Sequence, residues 1–150
     1  MQNDLDNRAR SSRPIRLFSL PLMTCFGLVA GFALAQVDPP TEHKSLSLEK
    51  LGVIEEDMLQ RQIGLGGYFM QLRAITIMPG GQIAKHSHET RPGIVKVISG
   101  EWVEGRPEGE ATYSAEGIDG ILEDGDTVHW FYNRGDVPAS AIVCDLTPSG

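Results

Sequence analysis

The chain is short of the features that most readily disclose a function. It has two cysteines, Cys25 and Cys144, too few for a disulfide framework or a cysteine-built metal cluster. Positive charge is scarce, with 13 Lys+Arg against 20 Asp+Glu and a formal net charge of −7. No Lys/Arg cluster lies beyond the N-terminus, so the electrostatic footprint for a polyanion is missing and a nucleic-acid role is excluded. No serine sits in a G-x-S-x-G elbow, and the glycines of Gly64-Leu65-Gly66-Gly67 lack the lysine and following helix of a phosphate loop. Asp124, Asp126 and Asp136 lack calcium-loop spacing. A sustained 3.6-residue period is absent beyond residue 35, apart from a weak trace over Ser47 to Gln62, so a helical architecture is excluded. There is no internal repeat and no low-complexity segment.

Long apolar runs are also rare, and the exception is at the start. Arg8, Arg10, Arg13 and Arg16 precede an apolar stretch from Leu17 to Ala35 that closes on Ala33-Leu34-Ala35. Basic flank, apolar run and small residues at an A-x-A site read as an export signal over 1–35, with Gln36 as the mature N-terminus. The alternative is an uncleaved anchor, since the run is just long enough to span a bilayer; Gly27 and Gly31 weaken it. Cleavage would leave a soluble periplasmic or secreted protein with no stable membrane association. It would remove four arginines and two aspartates and make the chain more acidic still. Cys144 alone would remain, in the apolar run Ala141 to Leu146, where a buried inert thiol is expected.

The rest divides into an N-terminal arm with the first strands, 36–67, and a strand-rich domain, 68–150. His43, in the polar VDPPTEHK stretch, reads as a solvated surface histidine. Leu46 to Val53 is a first strand, followed by acidic Glu55-Glu56-Asp57. Tyr68 to Met78 is the longest strand candidate, bounded by Gly67 and by a turn at Pro79-Gly80-Gly81. Short strands follow at Ile83 to His88, Ile94 to Ser99, Glu101 to Glu104, Ala111 to Ser114, Ile118 to Leu122, Thr127 to Asn133 and Ala139 to Leu146, each fenced by Gly, Pro, Asp or Asn. Many short strands with regular turn signals mean an all-β sandwich or barrel.

His86 and His88 are one residue apart, so on an extended strand both rings face the same side. His129 stands about forty residues on, and only a fold that unites distant strands brings it to the pair. Gly80, five residues, His86-Ser87-His88, four residues, position 93, six residues and Gly100 resemble the first motif of the cupin superfamily, G-x5-H-x-H-x(3,4)-E-x6-G. His129, three residues and Asn133 resemble the end of the second motif, P-x-G-x2-H-x3-N; Gly125 is one residue too far from His129 and no proline precedes it. The H-E-T-R-P-G run around Arg91 is similar to that of a subgroup of small bacterial cupins of largely unassigned function.

The resemblance covers Met70 to Leu146 and implies a double-stranded β-helix, a cupin jelly-roll barrel, with His86, His88 and His129 holding one divalent transition metal at its mouth. The fourth ligand of the family pattern, a glutamate, does not carry over, because position 93 is Gly. Glu89 is the nearest substitute, but it neighbours His88 and so points to the other side. Three neutral imidazoles suit Zn, Fe, Ni, Cu or Mn, and leave an ion with its full charge and open positions for a small anionic molecule. Arg91, Trp130, Phe131 and Asn133 are the candidate substrate-binding residues. Arg91 offers a planar fork for a carboxylate, Trp130 and Phe131 take opposite faces so that one walls the cavity, and Asn133 shares His129's face or closes the turn into Arg134. The expectation is a homodimeric binding or sensing module, with the arm Val37 to Ser47 available for exchange. A metal-dependent dioxygenase, isomerase or decarboxylase acting on a small acid or enolisable carbonyl is the alternative.

Overall fold

The computed structural model describes residues 38–150; the export signal expected over 1–35 lies outside the described residues. The elements are β1 (Lys44–Ile54), α1 (Glu56–Ile63), β2 (Tyr68–Ser87), β3 (Gly93–Ser99), β4 (Glu101–Arg106), β5 (Gly109–Ser114), β6 (Ile121–Glu123), β7 (Val128–Tyr132) and β8 (Ala139–Pro148). The strands form one antiparallel sheet in the order β5-β4-β7-β2-β8-β3-β6, with β1 pairing β2 off this path. Ile121 from the β6 end and Trp102 from β4, near the opposite end, belong to one buried cluster with Ile77, Val95, Phe131 and Val143. Strands so far apart in the order can share a core only if the sheet curls on itself.

Alternation sets which residues enter that core. Along β8, Ala139, Ala141, Val143 and Asp145 are buried while Ser140, Ile142 and Cys144 are only partly so, the period-two signature of a strand with one face inside. Cys144 therefore lies on the outer face and is partly exposed, against the buried position expected from its apolar neighbours.

β2 is one continuous strand rather than two strands around a turn. Its first half pairs with β8 from Tyr68 to Ile77 and its second half with β7 from Gln82 to Ser87. Pro79-Gly80-Gly81 is the corner at which it changes partner. Gly80 takes φ 68, a left-handed conformation that glycine adopts without steric cost, and Asn133 exchanges backbone hydrogen bonds with the corner, its N–H to Gly81 O at 3.1 Å and its O from Gly80 N at 3.0 Å. The weak periodicity over Ser47 to Gln62 splits in two. Its first part lies in β1, and its second is α1, which ends on Gly64 at φ 73 in a left-handed cap. Of the arm Val37 to Ser47 offered by the sequence for exchange, the end from Lys44 lies in β1 and pairs with the chain's own β2.

Trp130 and Gly105 are opposed residues on β7 and β4, and the indole packs directly over the glycine: a Cβ there would fall 2.1 Å from Trp130 Nε1. Trp130 is buried and cannot swing away. Gly105→Ala is expected to destabilise the fold by about 1–3 kcal/mol through overpacking, read from the denaturant midpoint. A midpoint equal to that of the wild type would show that the ring does not rest on this position.

Candidate metal centre

His86 and His129 are direct cross-strand partners on β2 and β7, and His88 follows one pleat further along β2. The pleat sends all three rings to the inner face. His129 and His88 are buried, with exposures of 0% and 1%, and His86 is half-buried. Nε2 of His129 stands 3.2 Å from Nε2 of His86 and 3.1 Å from Nε2 of His88.

What each ring does with its other nitrogen decides the meaning of these short distances. Nδ1 of His86 lies 2.8 Å from Ala84 O, Nδ1 of His88 lies 2.8 Å from Arg91 O, and Nδ1 of His129 lies 2.6 Å from Glu104 Oε1. These partners are acceptors, so the hydrogen-bond network assigns the ring proton to Nδ1 in all three. The three Nε2 atoms then face one another with lone pairs and no proton between them. Uncompensated, that arrangement is repulsive, and a cation at the point where they meet would reconcile it. Nitrogens bound at about 2.0–2.1 Å to one ion are roughly 2.8–3.4 Å apart for angles from 90° to tetrahedral, a range that contains the 3.2 and 3.1 Å from His129 to the other two rings.

A carboxylate joins the rings, and sequence reasoning missed it. Glu123 places Oε1 3.5 Å from His129 Nε2 and Oε2 3.4 Å from His88 Nδ1. Its Oε2 is buried with no hydrogen-bond partner among the described residues. The donor atoms of His86, His88, His129 and Glu123 all lie within 4.8 Å of one another. The carboxylate-free triad expected from Gly93 is therefore corrected: Gly93 and Glu123 are opposed on β3 and β6, and a Cβ at 93 would fall 2.6 Å from Glu123 Oε2. The glycine makes room for a carboxylate that arrives from the neighbouring strand. Glu89, the substitute considered from the sequence, is exposed.

Further polar groups support the rings. Glu104 is 1% exposed and also takes Arg106 Nη2 at 2.8 Å and Tyr113 OH at 3.2 Å. Burial works to raise its pKa, but the hydrogen bonds from His129 and Arg106 outweigh it and hold the group below its usual value, as an anion that accepts from His129. The turn between β6 and β7, in which Thr127 Oγ1 donates to Asp124 Oδ1 at 2.8 Å, holds Glu123 and His129 at its two ends. Its Thr127 O also accepts the His88 N–H at 3.0 Å.

A cavity of about 330 Å³ opens beside the centre, lined by His86, His88 and Glu123, by Arg73, Arg91 and His43, and by apolar side chains including Phe131. Arg91 thus reaches the cavity. Phe131 faces it, while Trp130 lies on the opposite face against Gly105. Asn133 is outside the cavity lining, its Nδ2 donating to Ile77 O and Val137 O, both at 2.8 Å, and its Oδ1 accepting from Gly135 N; it closes the turn. His43 is exposed, as expected, but it is tied down: its Nδ1 accepts the Ala84 N–H at 3.1 Å, and Pro40 O accepts from Lys85 N at 2.8 Å, so the stretch before β1 lies along β2 beside His86. No local signal marks that contact, because it is made by tertiary pairing.

Comparisons with known proteins bear on the fold. No protein-family model matches the chain, and no curated protein sequence matches it. Solved structures do. The Cupin_2 domain of an XRE-family transcriptional regulator from Enterobacter cloacae is 18% identical with a TM-score of 0.53, over 70% of this chain and 99% of that one. A predicted oxalate decarboxylase from Thermotoga maritima is 16% identical with a TM-score of 0.52, over 73% of this chain and 93% of that one. A sugar phosphate isomerase of the cupin superfamily from Silicibacter pomeroyi is 21% identical with a TM-score of 0.50, over 69% of this chain and 60% of that one. Regulator and enzymes alike share the architecture, so the likeness carries the fold alone.

Burial drives the titration of the metal-free site in opposite directions. It lowers His86 and His88 from 6.5 to about 4, and raises Glu123 from 4.5 to about 7. A histidine held below its unfolded value contributes stability that is lost as pH falls from 6.5 toward 4. A carboxyl held above its unfolded value contributes stability that is lost as pH rises from 4.5 through 7. Metal-free wild type should therefore lose stability relative to Glu123→Gln as pH rises across 4.5 to 7, measured by denaturant melts at each pH. A difference that stays flat over that window contradicts the buried, uncharged placement of Glu123.

Proposed function

We propose that this chain, a cupin by fold, binds one divalent transition metal through Nε2 of His86, His88 and His129 and the carboxylate of Glu123, and presents it to a small anionic molecule in the adjoining cavity. The observation that carries the reading is the convergence of three imidazole lone pairs, each committed by an outward Nδ1 hydrogen bond, beside a buried carboxylate oxygen with no partner among the described residues. Three imidazoles and one carboxylate suit Zn, Fe, Ni, Cu or Mn without selecting among them. One carboxylate against a divalent ion leaves a net positive centre, which favours an anionic ligand. When bound, such an ion supplies Lewis acidity toward a ligand oxygen. The protein's own groups do the rest: the apolar wall excludes water, and Arg91, beside the centre, supplies a cation for the ligand.

Binding or sensing without turnover is the reading adopted. A metal-dependent dioxygenase, isomerase or decarboxylase is the second, and one observation favours it. His43 lines the cavity and spends Nδ1 as an acceptor, which leaves Nε2 carrying the proton that an acid/base group needs. Oxygen uptake or product formation from a panel of small 2-oxo acids and diketones by the metal-loaded protein decides for the enzyme, and ligand binding without either decides for the module.

Export to the periplasm or medium, supported by the leader pattern of residues 1–35, belongs to the same proposal, as does a homodimer. An apolar cross-strand row on the outer face supports the dimer: Leu122, Ile94 and Leu72 are 66%, 54% and 39% exposed, with Cys144 between the last two in register.

Elemental analysis of untagged protein from its own compartment should find close to one metal per chain. His86→Ala should abolish metal retention while the melt stays cooperative, and unchanged metal content would remove the assignment. Glu104→Gln, which touches no metal, should still weaken metal affinity by about 10- to 100-fold, because it loosens the bond that orients His129. Competition with a chelator measures it, and an unaltered affinity would show that Glu104 plays no part in holding the ring.

A further inference from the structure

The inner face of the barrel carries a cation that the metal site does not use. Arg73 lies on β2 at the parity of Ile75 and Ile77, so its side chain enters the core side of the sheet. A terminal nitrogen reaches Asp145, whose side chain is fully buried, while Arg73 Nε is buried with no partner among the described residues. Arg91, entering from the loop between β2 and β3, stops with Nε 3.8 Å from the same Asp145 oxygen, beyond hydrogen-bonding distance. Two guanidinium groups thus share one carboxylate. With Glu123 given to the metal, this corner of the cavity holds two guanidinium groups against one carboxylate, and the buried Arg73 Nε keeps a donor that nothing among the described residues accepts.

We propose that Arg73 and Arg91 form a carboxylate seat separate from the metal ligands, so that the ligand of this cavity is a small dicarboxylate spanning the two. Its first carboxylate meets the metal, and its second meets the paired guanidinium groups, whose planar forks match carboxylate geometry. Apolar walls between the two ends, Ile75, Ile83, Val95 and Val143, suit a short methylene spacer. The cavity volume of about 330 Å³ lies near the lower limit for ligand pockets, which keeps the spacer short. The inference rests on the metal reading for one end of the ligand only.

The test uses the full chain loaded with zinc, its zinc content measured, and titrates malonate and succinate against propionate and butyrate by calorimetry. Each pair matches in length and differs by one carboxylate. Wild type should bind the diacid more tightly by about tenfold or more, the loss expected for one charge-assisted pair. Arg73→Met should erase that preference without changing zinc content. Arg91→Met, at a partly exposed loop position, reads the same seat should Arg73→Met fail to fold. Equal affinities for diacid and monoacid, no binding of either at millimolar concentration, or a preference that survives in the folded variants overturns the seat. Failure of the metal reading shows separately as wild type that retains no zinc. A succinate preference that persists in that zinc-free protein and disappears in the arginine variants still supports the seat.

Discussion

The site depends on three hydrogen bonds that point away from it. Nδ1 of His86, His88 and His129 each meets an acceptor outside the cluster, two backbone carbonyls and the Glu104 carboxylate. Because a neutral imidazole has one proton, committing it outward leaves a lone pair directed inward. The strand pairing that opposes His86 to His129 then brings the His129 lone pair within 3.2 Å of each of the other two. Neither element suffices alone. Pairing without the outward bonds would let one ring donate to the next and give an ordinary histidine cluster.

The carboxylate beside the three rings illustrates how one strand can fill space that its neighbour leaves open. Residues opposed across an antiparallel pair share a face and lie close together, so a side chain on β6 can occupy the space that one on β3 gives up. Gly93 and Glu123 stand in that relation. The glycine at 93 and the carboxylate at 123 are therefore one steric unit, the space left by the first being filled by the second. A side chain at 93 would require the Glu123 carboxylate to move, since its Cβ would fall 2.6 Å from Oε2.

Charge within the curled sheet is distributed by the same alternation that builds its core. Glu104 on β4, Glu123 on β6 and Asp145 on β8 all sit at inward positions and are nearly fully buried. Glu104 and Asp145 meet arginine or histidine partners, as burial requires. Glu123 keeps an oxygen with no partner among the described residues, and that exception coincides with the histidine cluster. The outer face bears the opposite anomaly, a row of exposed apolar side chains from Leu122 to Leu72, so both faces are atypical of a solvated surface sheet.

Much of this was legible in the chain itself. The strand-rich plan follows from short β-branched runs fenced by turn residues, and the grouping of His86, His88 and His129 from motif spacing on such a background. The parity rule also held a signal left unread, for Glu123, Glu104 and Asp145 stand at the same parity as Ile121, Trp102 and Val143 on their strands. What the sequence alone determined is which residues share a face, because alternation along a strand is a local property of the extended backbone. Which strands lie side by side was decided only by the tertiary structure: that β6 faces β3 and so supplies the carboxylate, that β2 turns its corner to meet β7, that Arg73 and Arg91 converge on Asp145, and that His43 returns to β2. Register between distant strands is set by the packing of the whole core, a sum over many contacts that no single stretch of sequence contains.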